Sequence, residues 1–264
     1  MGVDSPAVAG PSTTETWDAF FSDFYLRAYA GDARDEQAES DALAAAKLAG
    51  VEPGADVIDV PCGFGRHTLA LARAGYRAVG VDRSGTLLDE ARRRSGGERW
   101  PKWTRADYRE LPFAEESFDA AFNLFTSLGY LGDEEDTKVL AAIRRVLRPD
   151  GKLVLETMHR DRLVTNFSES DWHLMGEGRL LLEQRTWDPI TGVAQSTQTL
   201  ITGNGERESR TFSVRTYSAT ELIAMLNRAG FSEAKAYGSF SAEPFTTSSR
   251  LVIVATKGGG GSAP

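Results

Sequence analysis

The run Val57-Ile58-Asp59-Val60-Pro61-Cys62-Gly63-Phe64-Gly65 is the stretch best suited to chemistry: an apolar strand ends in an acid, then in a glycine-bearing loop that opens a helix. Glycine suits such a loop because a Cβ blocks close approach of a ligand to the backbone. In open α/β sheets, ligands collect at the carboxyl ends of the strands, where the loop of the first strand lies. Alone, the Gly63-x-Gly65 pair reads equally as a tight turn. Its weight comes from two later acids. Asp82 ends the next strand, 23 residues after Asp59, where a carboxylate can accept both hydroxyls of a ribose. Asp107 ends the third, where the carboxylate and the backbone N–H of Tyr108 can read the two edges of an adenine. Each acid also has a plainer reading. Asp59 can cap its own loop, Asp82 can favour a helix N-terminus through the dipole, and Asp107 can sit in a surface turn.

Other reactive side chains are sparse. Cys62 reads as a small packed residue rather than a nucleophile, since only Arg66 and His67 nearby would lower its pKa. His67 starts the helix after the glycine loop, as a ligand contact or as a plain helix-start residue. His159 follows the fifth strand on the ligand-facing edge, where it can take a proton from a nucleophile; a solvent-facing loop residue is the alternative. His173 belongs beside Trp172 in an inserted segment. Three scattered histidines and one cysteine predict no metal site. Tyr25 and Tyr29 lie in an aromatic N-terminal segment, open to core packing or to ligand contact, and Ser127 and Tyr130 are candidates for an acceptor site.

The elements that must hold these residues alternate. Trp17 to Tyr29 and Glu36 to Leu48 read as helices, the second closed by Gly50. Strands follow at residues 56–60, 77–81, 103–106, 118–125 and 152–158, separated by helices from Arg66, from Ser84 as N-cap, and from Asp133. The last of these shows Val139, Leu140, Ile143, Val146 and Leu147 on one face and stops at the Arg148-Pro149-Asp150-Gly151 turn. This grammar implies a parallel sheet with helices on both faces. Residues 180–186, 193–201 and 208–217 then read as three antiparallel strands. Ser218-Ala219-Thr220-Glu221 is a capping box that restarts the α/β pattern, and residues 234–237 and 251–255 supply the last two strands.

With 264 residues, 41% of them hydrophobic, the chain can bury one substantial core. A net charge of -8 argues against nucleic acid as partner, and the Arg92-Arg93-Arg94 run reads as a solvated helix end. No apolar run approaches the roughly 20 residues of a membrane span, and the N-terminus lacks a signal-peptide pattern, so a cytoplasmic protein is expected. Residues 1–16 and 258–264 have the composition of flexible tails around one domain of residues 17–257.

The order of these motifs resembles that of class I S-adenosylmethionine (SAM)-dependent methyltransferases, over about residues 17–257. The resemblance implies a Rossmann-like α/β fold with an antiparallel β insertion at about 163–217, covering the substrate or making a subunit contact. It implies SAM as cofactor, held by Asp59, Pro61, Gly63, Gly65, Asp82, Arg83, Asp107, Tyr108, Leu124 and Tyr25. Leu147 to Leu153 is similar to the turn that introduces the family's fifth strand. Pro61 is a departure: the family usually has glycine there, and proline removes an N–H from the loop. Asn123 to Leu131 resembles the corresponding segment of N-methyltransferases acting on glycine and amino sugars. The expected activity is in-line methyl transfer to a small-molecule acceptor, with an amine nitrogen preferred over oxygen or carbon. His159 and Tyr130 are the candidate catalytic residues, and Glu156 is a second candidate base. A homodimer is left open. Two other readings stand beside this one. The protein could be a SAM-binding cyclase or scaffold that transfers no methyl. It could also be an NAD-dependent oxidoreductase, for which Gly63-Phe64-Gly65-Arg66-His67-Thr68 is a near miss, with Thr68 where the third glycine belongs.

Overall fold

The fold is taken from a computed structural model, which describes residues 13–97 and 99–259. The expected tails lie mostly outside that range, but Thr13 already opens a helix, earlier than the boundary at residue 17. The N-terminal segment forms α1 (Thr13–Phe20) and α2 (Asp23–Tyr29) rather than one helix. They break at Ser22, whose hydroxyl bonds the Ala19 carbonyl at 2.7 Å and so competes with the helical ladder. α3 (Asp32–Ala49) ends in left-handed Gly50.

The main layer alternates β1 (Asp56–Asp59), α4 (Arg66–Arg73), β2 (Arg77–Asp82), α5 (Gly85–Ser95), β3 (Lys102–Arg105), β4 (Phe118–Asn123), α6 (Asp133–Val146) and β5 (Leu147–Thr157). After an insertion, α8 (Ala219–Arg228), β10 (Glu233–Tyr237) and β11 (Leu251–Thr256) complete it. The strand order is β10-β11-β5-β4-β1-β2-β3. The five strands of the alternating pattern run parallel as expected, while β11 pairs antiparallel with both β5 and β10. No helix intervenes between β10 and β11, so the chain returns in the opposite sense. Adjacent Val57 and Ile58 are both fully buried, in separate cores on opposite faces of the sheet. Both faces of β1 are therefore covered, which is why it reads as a continuous apolar run. Its carboxyl end is left for the site.

The insertion is α7 (Arg160–Thr165), then a second sheet in the order β6-β7-β8-β9, antiparallel throughout. β6 (Ser170–Leu174) is a fourth strand absent from the sequence reading; all five residues are exposed, and only Trp172 and Leu174 hint at alternation. β7 (Leu180–Asp188), β8 (Val193–Ile201) and β9 (Arg207–Arg215) match the three expected. Leu181 and Leu200 of this sheet seat Phe20, Phe24 and Ala28 of the N-terminal helices. Among the described residues, no helix is long and apolar enough to cross a membrane.

The insertion rejoins the main body at Tyr217, which is buried and donates its hydroxyl to Asp136 at 2.7 Å. Burial raises the Asp136 carboxyl to about 6. A raised acid favours the folded state below its ordinary pKa, and that contribution is lost as pH rises through about 6. The Tyr217 hydroxyl offsets part of that loss by bonding the charged form. Tyr217→Phe should therefore cost about 1–3 kcal/mol at pH 8 and less at pH 5, as read by urea unfolding.

Candidate functional site

A cavity of about 550 Å³ lies between the carboxyl edge of the main sheet, the N-terminal helices and the second sheet. Its wall at the main sheet is built by one carboxylate. Asp82, at the tip of β2, accepts the backbone N–H of Gly63 through Oδ2 and that of Ser84 through Oδ1, each at 2.8 Å. The β1 loop and the start of α5 are thus pinned to one side chain. Burial raises Asp82 to about 6, while the backbone N–H groups of Ser84, Gly63 and Arg83 favour its ionised form. Each oxygen has a lone pair left over for another donor.

The two loop glycines answer to different constraints. Gly63 (φ +55°) has nothing within 4 Å of where a Cβ would sit, so the backbone there stays open to a ligand. At Gly65 (φ +81°) a Cβ would meet the Trp103 ring at 2.3 Å. Gly65 is therefore a packing requirement and does not line the cavity. Asp59 sits behind the wall, accepting the Thr68 hydroxyl at 2.6 Å, and burial pushes it to about 7. It braces the first turn of α4 rather than facing the cavity.

The three acids do not share one hollow; only Asp82 lines it. Asp107 is held outside by Arg109, whose guanidinium reaches it at 2.8 and 3.0 Å and holds its carboxyl below the usual range. Tyr108 is buried with its ring 6.0 Å from that of Trp17, so α1 covers this corner. Arg83 lies on the cavity wall, with Trp17 4.9 Å from its guanidinium and Asp18 bonded to it at 2.8 Å. Pro61, Leu124, Tyr25 and Tyr130 also line the cavity. Burial pushes the Tyr130 phenol well up, so it stays protonated. Cys62 lines it too, but burial, Asp82 and Asp59 push its thiol up and leave it inert. Buried His67 is held neutral, its pKa lowered by burial and then by Arg66 and Arg250.

His159 is the imidazole best placed for proton transfer. Its side chain is 1% exposed, with Nδ1 3.2 Å from the Ser249 carbonyl oxygen. A carbonyl accepts only, so Nδ1 carries the proton and Nε2 keeps its lone pair. Nε2 has no hydrogen-bond partner among the described residues, and a carboxylate oxygen of Asp161 lies 3.5 Å away. Glu156 is less free: it accepts the Phe125 N–H at 2.8 Å and pairs with Arg250 at 3.1 Å. Those bonds hold Phe125 and Thr126, both left-handed, in the strained turn after β4.

Residues 57–151 match a family model described as a methyltransferase domain. The putative methyltransferase YqeM of Bacillus subtilis is 26% identical over 210 residues, 76% of this chain and 83% of that protein. Residues 57–151 therefore carry a methyltransferase domain, and over most of its length the chain is similar to methyltransferases. It also matches the demethylmenaquinone methyltransferase of Clavibacter sepedonicus at 35% identity, over 39% of this chain and 40% of that enzyme. It thus spans well under half the length of that relative. The SAM-bound structure of CalS10, an amino pentose methyltransferase from Micromonospora echinaspora, has a TM-score of 0.68 at 24% identity, covering 89% of this chain and 96% of that one. The Asp82–Gly63 wall would fit a group such as the SAM bound in that structure: a carboxylate beside an unfilled Cβ position.

Among the residues the sequence did not single out, Glu183, Arg185, Ser196 and Gln198 line the cavity from the second sheet. The signal was present as polar residues at the inward positions of an alternating strand pair. The glycines supply a direct check. Gly65→Ala should cost about 2–4 kcal/mol in denaturant unfolding, from overpacking plus left-handed strain. Gly63→Ala should cost only about 1 kcal/mol, the strain alone.

Proposed function

We propose that the protein transfers the methyl group of SAM to an amine nitrogen of a small-molecule acceptor. The observation that carries this reading is His159, buried on the cavity wall with Nδ1 committed to a carbonyl and Nε2 without a hydrogen bond among the described residues, 3.5 Å from an Asp161 carboxylate oxygen. An ammonium must lose a proton before its lone pair can attack; the Nε2 lone pair can take it, and the Asp161 carboxylate would stabilise the imidazolium that forms. Tyr130 keeps its proton and can donate to the acceptor or orient it. Enclosure by the second sheet suits a compact substrate, and the net charge of -8 disfavours a phosphate backbone. The amino pentose named for the solved relative is consistent with an amine.

Bound SAM supplies a methyl on a positively charged sulfur, ready for in-line displacement. The chain's own residues bind, orient and exclude water. Asp82 accepts the ribose hydroxyls, Gly63 gives the amino-acid end access to the backbone, and Pro61, Arg83, Leu124 and Tyr25 border the same space. Asp59 and Gly65 act from behind by fixing the loop. In this reading Asp107 and Tyr108 reach adenine through displacement of the Trp17 corner.

Incubation with SAM and a panel of primary amines, analysed by mass spectrometry, should yield S-adenosylhomocysteine and an N-methylated product. Methylation of hydroxyls alone, or no S-adenosylhomocysteine with any acceptor, contradicts the reading. Asp82→Asn should weaken SAM binding by about 1.5–3 kcal/mol in calorimetry. In the wild type, affinity should fall as pH drops through about 6, because the protonated acid loses acceptor capacity; Asp82→Asn should flatten that dependence. His159→Asn should lower kcat by about 10²- to 10⁴-fold with SAM affinity unchanged.

A further inference from the structure

β7 and β8 show a change of character along their inward face. Leu181 and Leu200 are buried against the N-terminal helices, as a core face should be. One pair further on, Glu183 lies opposite Gln198, and then Arg185 lies opposite Ser196. Glu183 and Ser196 are each 8% exposed and Gln198 is 1% exposed, yet all three line the cavity. Placing polar groups on a core-facing strand pair costs stability unless each finds a partner.

The partners present are incomplete. Glu183 bonds Arg185 and the Nε2 of Gln198, which also donates to the Tyr29 hydroxyl at 2.6 Å. The Glu183 carboxylate only accepts, so the amide atom facing it is nitrogen and the carbonyl oxygen Oε1 is the free end of the amide. Gln198 Oε1 and Ser196 Oγ are both buried without a hydrogen-bond partner among the described residues. Oε1 can only accept, so its complement is a hydroxyl or an N–H. Ser196 Oγ can donate or accept. Glu183 pairs with Arg185, and Asp171 and His173 add a carboxylate 3.8 Å from Arg185 and an imidazole 3.6 Å from Glu183. Phe212 is the cross-strand neighbour of Ser196, and Phe20 and Tyr25 of the N-terminal helices also line the cavity. Paired polar groups bordered by aromatic rings suit a compact ring with hydroxyls along one edge.

We propose that Glu183, Arg185, Ser196 and Gln198 form the acceptor-docking subsite, which selects a hydroxylated ring over an apolar ring of the same size. The selection comes from Gln198 Oε1 and Ser196 Oγ, while Glu183 and Arg185 position the Gln198 amide. Oε1 and Oγ are both already shielded from water without a partner among the described residues, so a ring hydroxyl that reaches them gains a bond that an apolar ring cannot make, and that gain provides the discrimination. The proposal rests on the small-molecule amine reading above and names the part of the acceptor that is recognised.

The test uses the full chain saturated with S-adenosylhomocysteine and two kinds of six-membered amine: the methyl glycosides of 2-, 3- and 4-aminodeoxyhexoses, and cyclohexylamine. Calorimetry should show at least one amino sugar binding about tenfold or more tighter than cyclohexylamine, the scale of two hydrogen bonds to otherwise unpaired buried atoms. Ser196→Ala and Gln198→Leu should each shrink that preference about threefold or more, with SAM affinity unchanged as the control for folding. Equal affinities, no binding of either ring, or a preference that survives in both variants overturns the subsite. Discrimination in binding without S-adenosylhomocysteine from any amine would instead sink the transfer reading and leave the subsite standing.

Discussion

One buried carboxylate organises the catalytic edge of the sheet. Asp82 takes an N–H from the loop after β1 and another from the start of α5, so two loops from neighbouring strands share a single anchor. Burying that group is costly, and its raised pKa measures the cost. The two backbone donors offset it and hold the ionised form ready. The Cys62 N–H extends the same seam by bonding the Val81 carbonyl at 2.8 Å. Left-handed Gly63 is needed for its N–H to reach the carboxylate while keeping the cavity side bare.

The opposite wall is made by parts that do not belong to the sheet. The N-terminal helices rest on the inserted sheet through Phe20, Phe24, Leu181 and Leu200, and Tyr25 stacks on Tyr29 at 4.6 Å. The insertion is in turn tied to the main body by Tyr217 and by Arg215, which bonds Glu221 at 2.8 Å and Asp133 at 3.1 Å. Cover and floor are therefore one packed unit around the cavity, which serves a reaction that must exclude water.

Much of the main layer was legible because its determinants are local. β1 announces itself as an apolar run between turn signals, Ser218 and Glu221 form their capping box as read, and Gly50 ends its helix in the left-handed region. The fold class followed from Asp59-to-Gly65 and the spacing of Asp82. What was not legible depends on the direction a side chain takes or on partners distant in sequence. Nothing around Asp107 says that Arg109 will hold it away from the cavity, and nothing around Gly65 says that Trp103 will lie against it. β6 escaped because an exposed edge strand needs no apolar alternation. Glu183, Ser196 and Gln198 looked like ordinary strand polarity until the register showed that they face inward.

The central claim, that Asp82 and Gly63 seat the cofactor on the cavity wall, is tested most directly by a crystal structure of the protein with S-adenosylhomocysteine. The account predicts ribose hydroxyls within hydrogen-bond distance of the Asp82 carboxylate, the amino-acid end over Gly63, and the sulfur facing the side of the cavity that holds His159. A nucleoside bound elsewhere, with Asp82 touching only its two backbone donors, would contradict it.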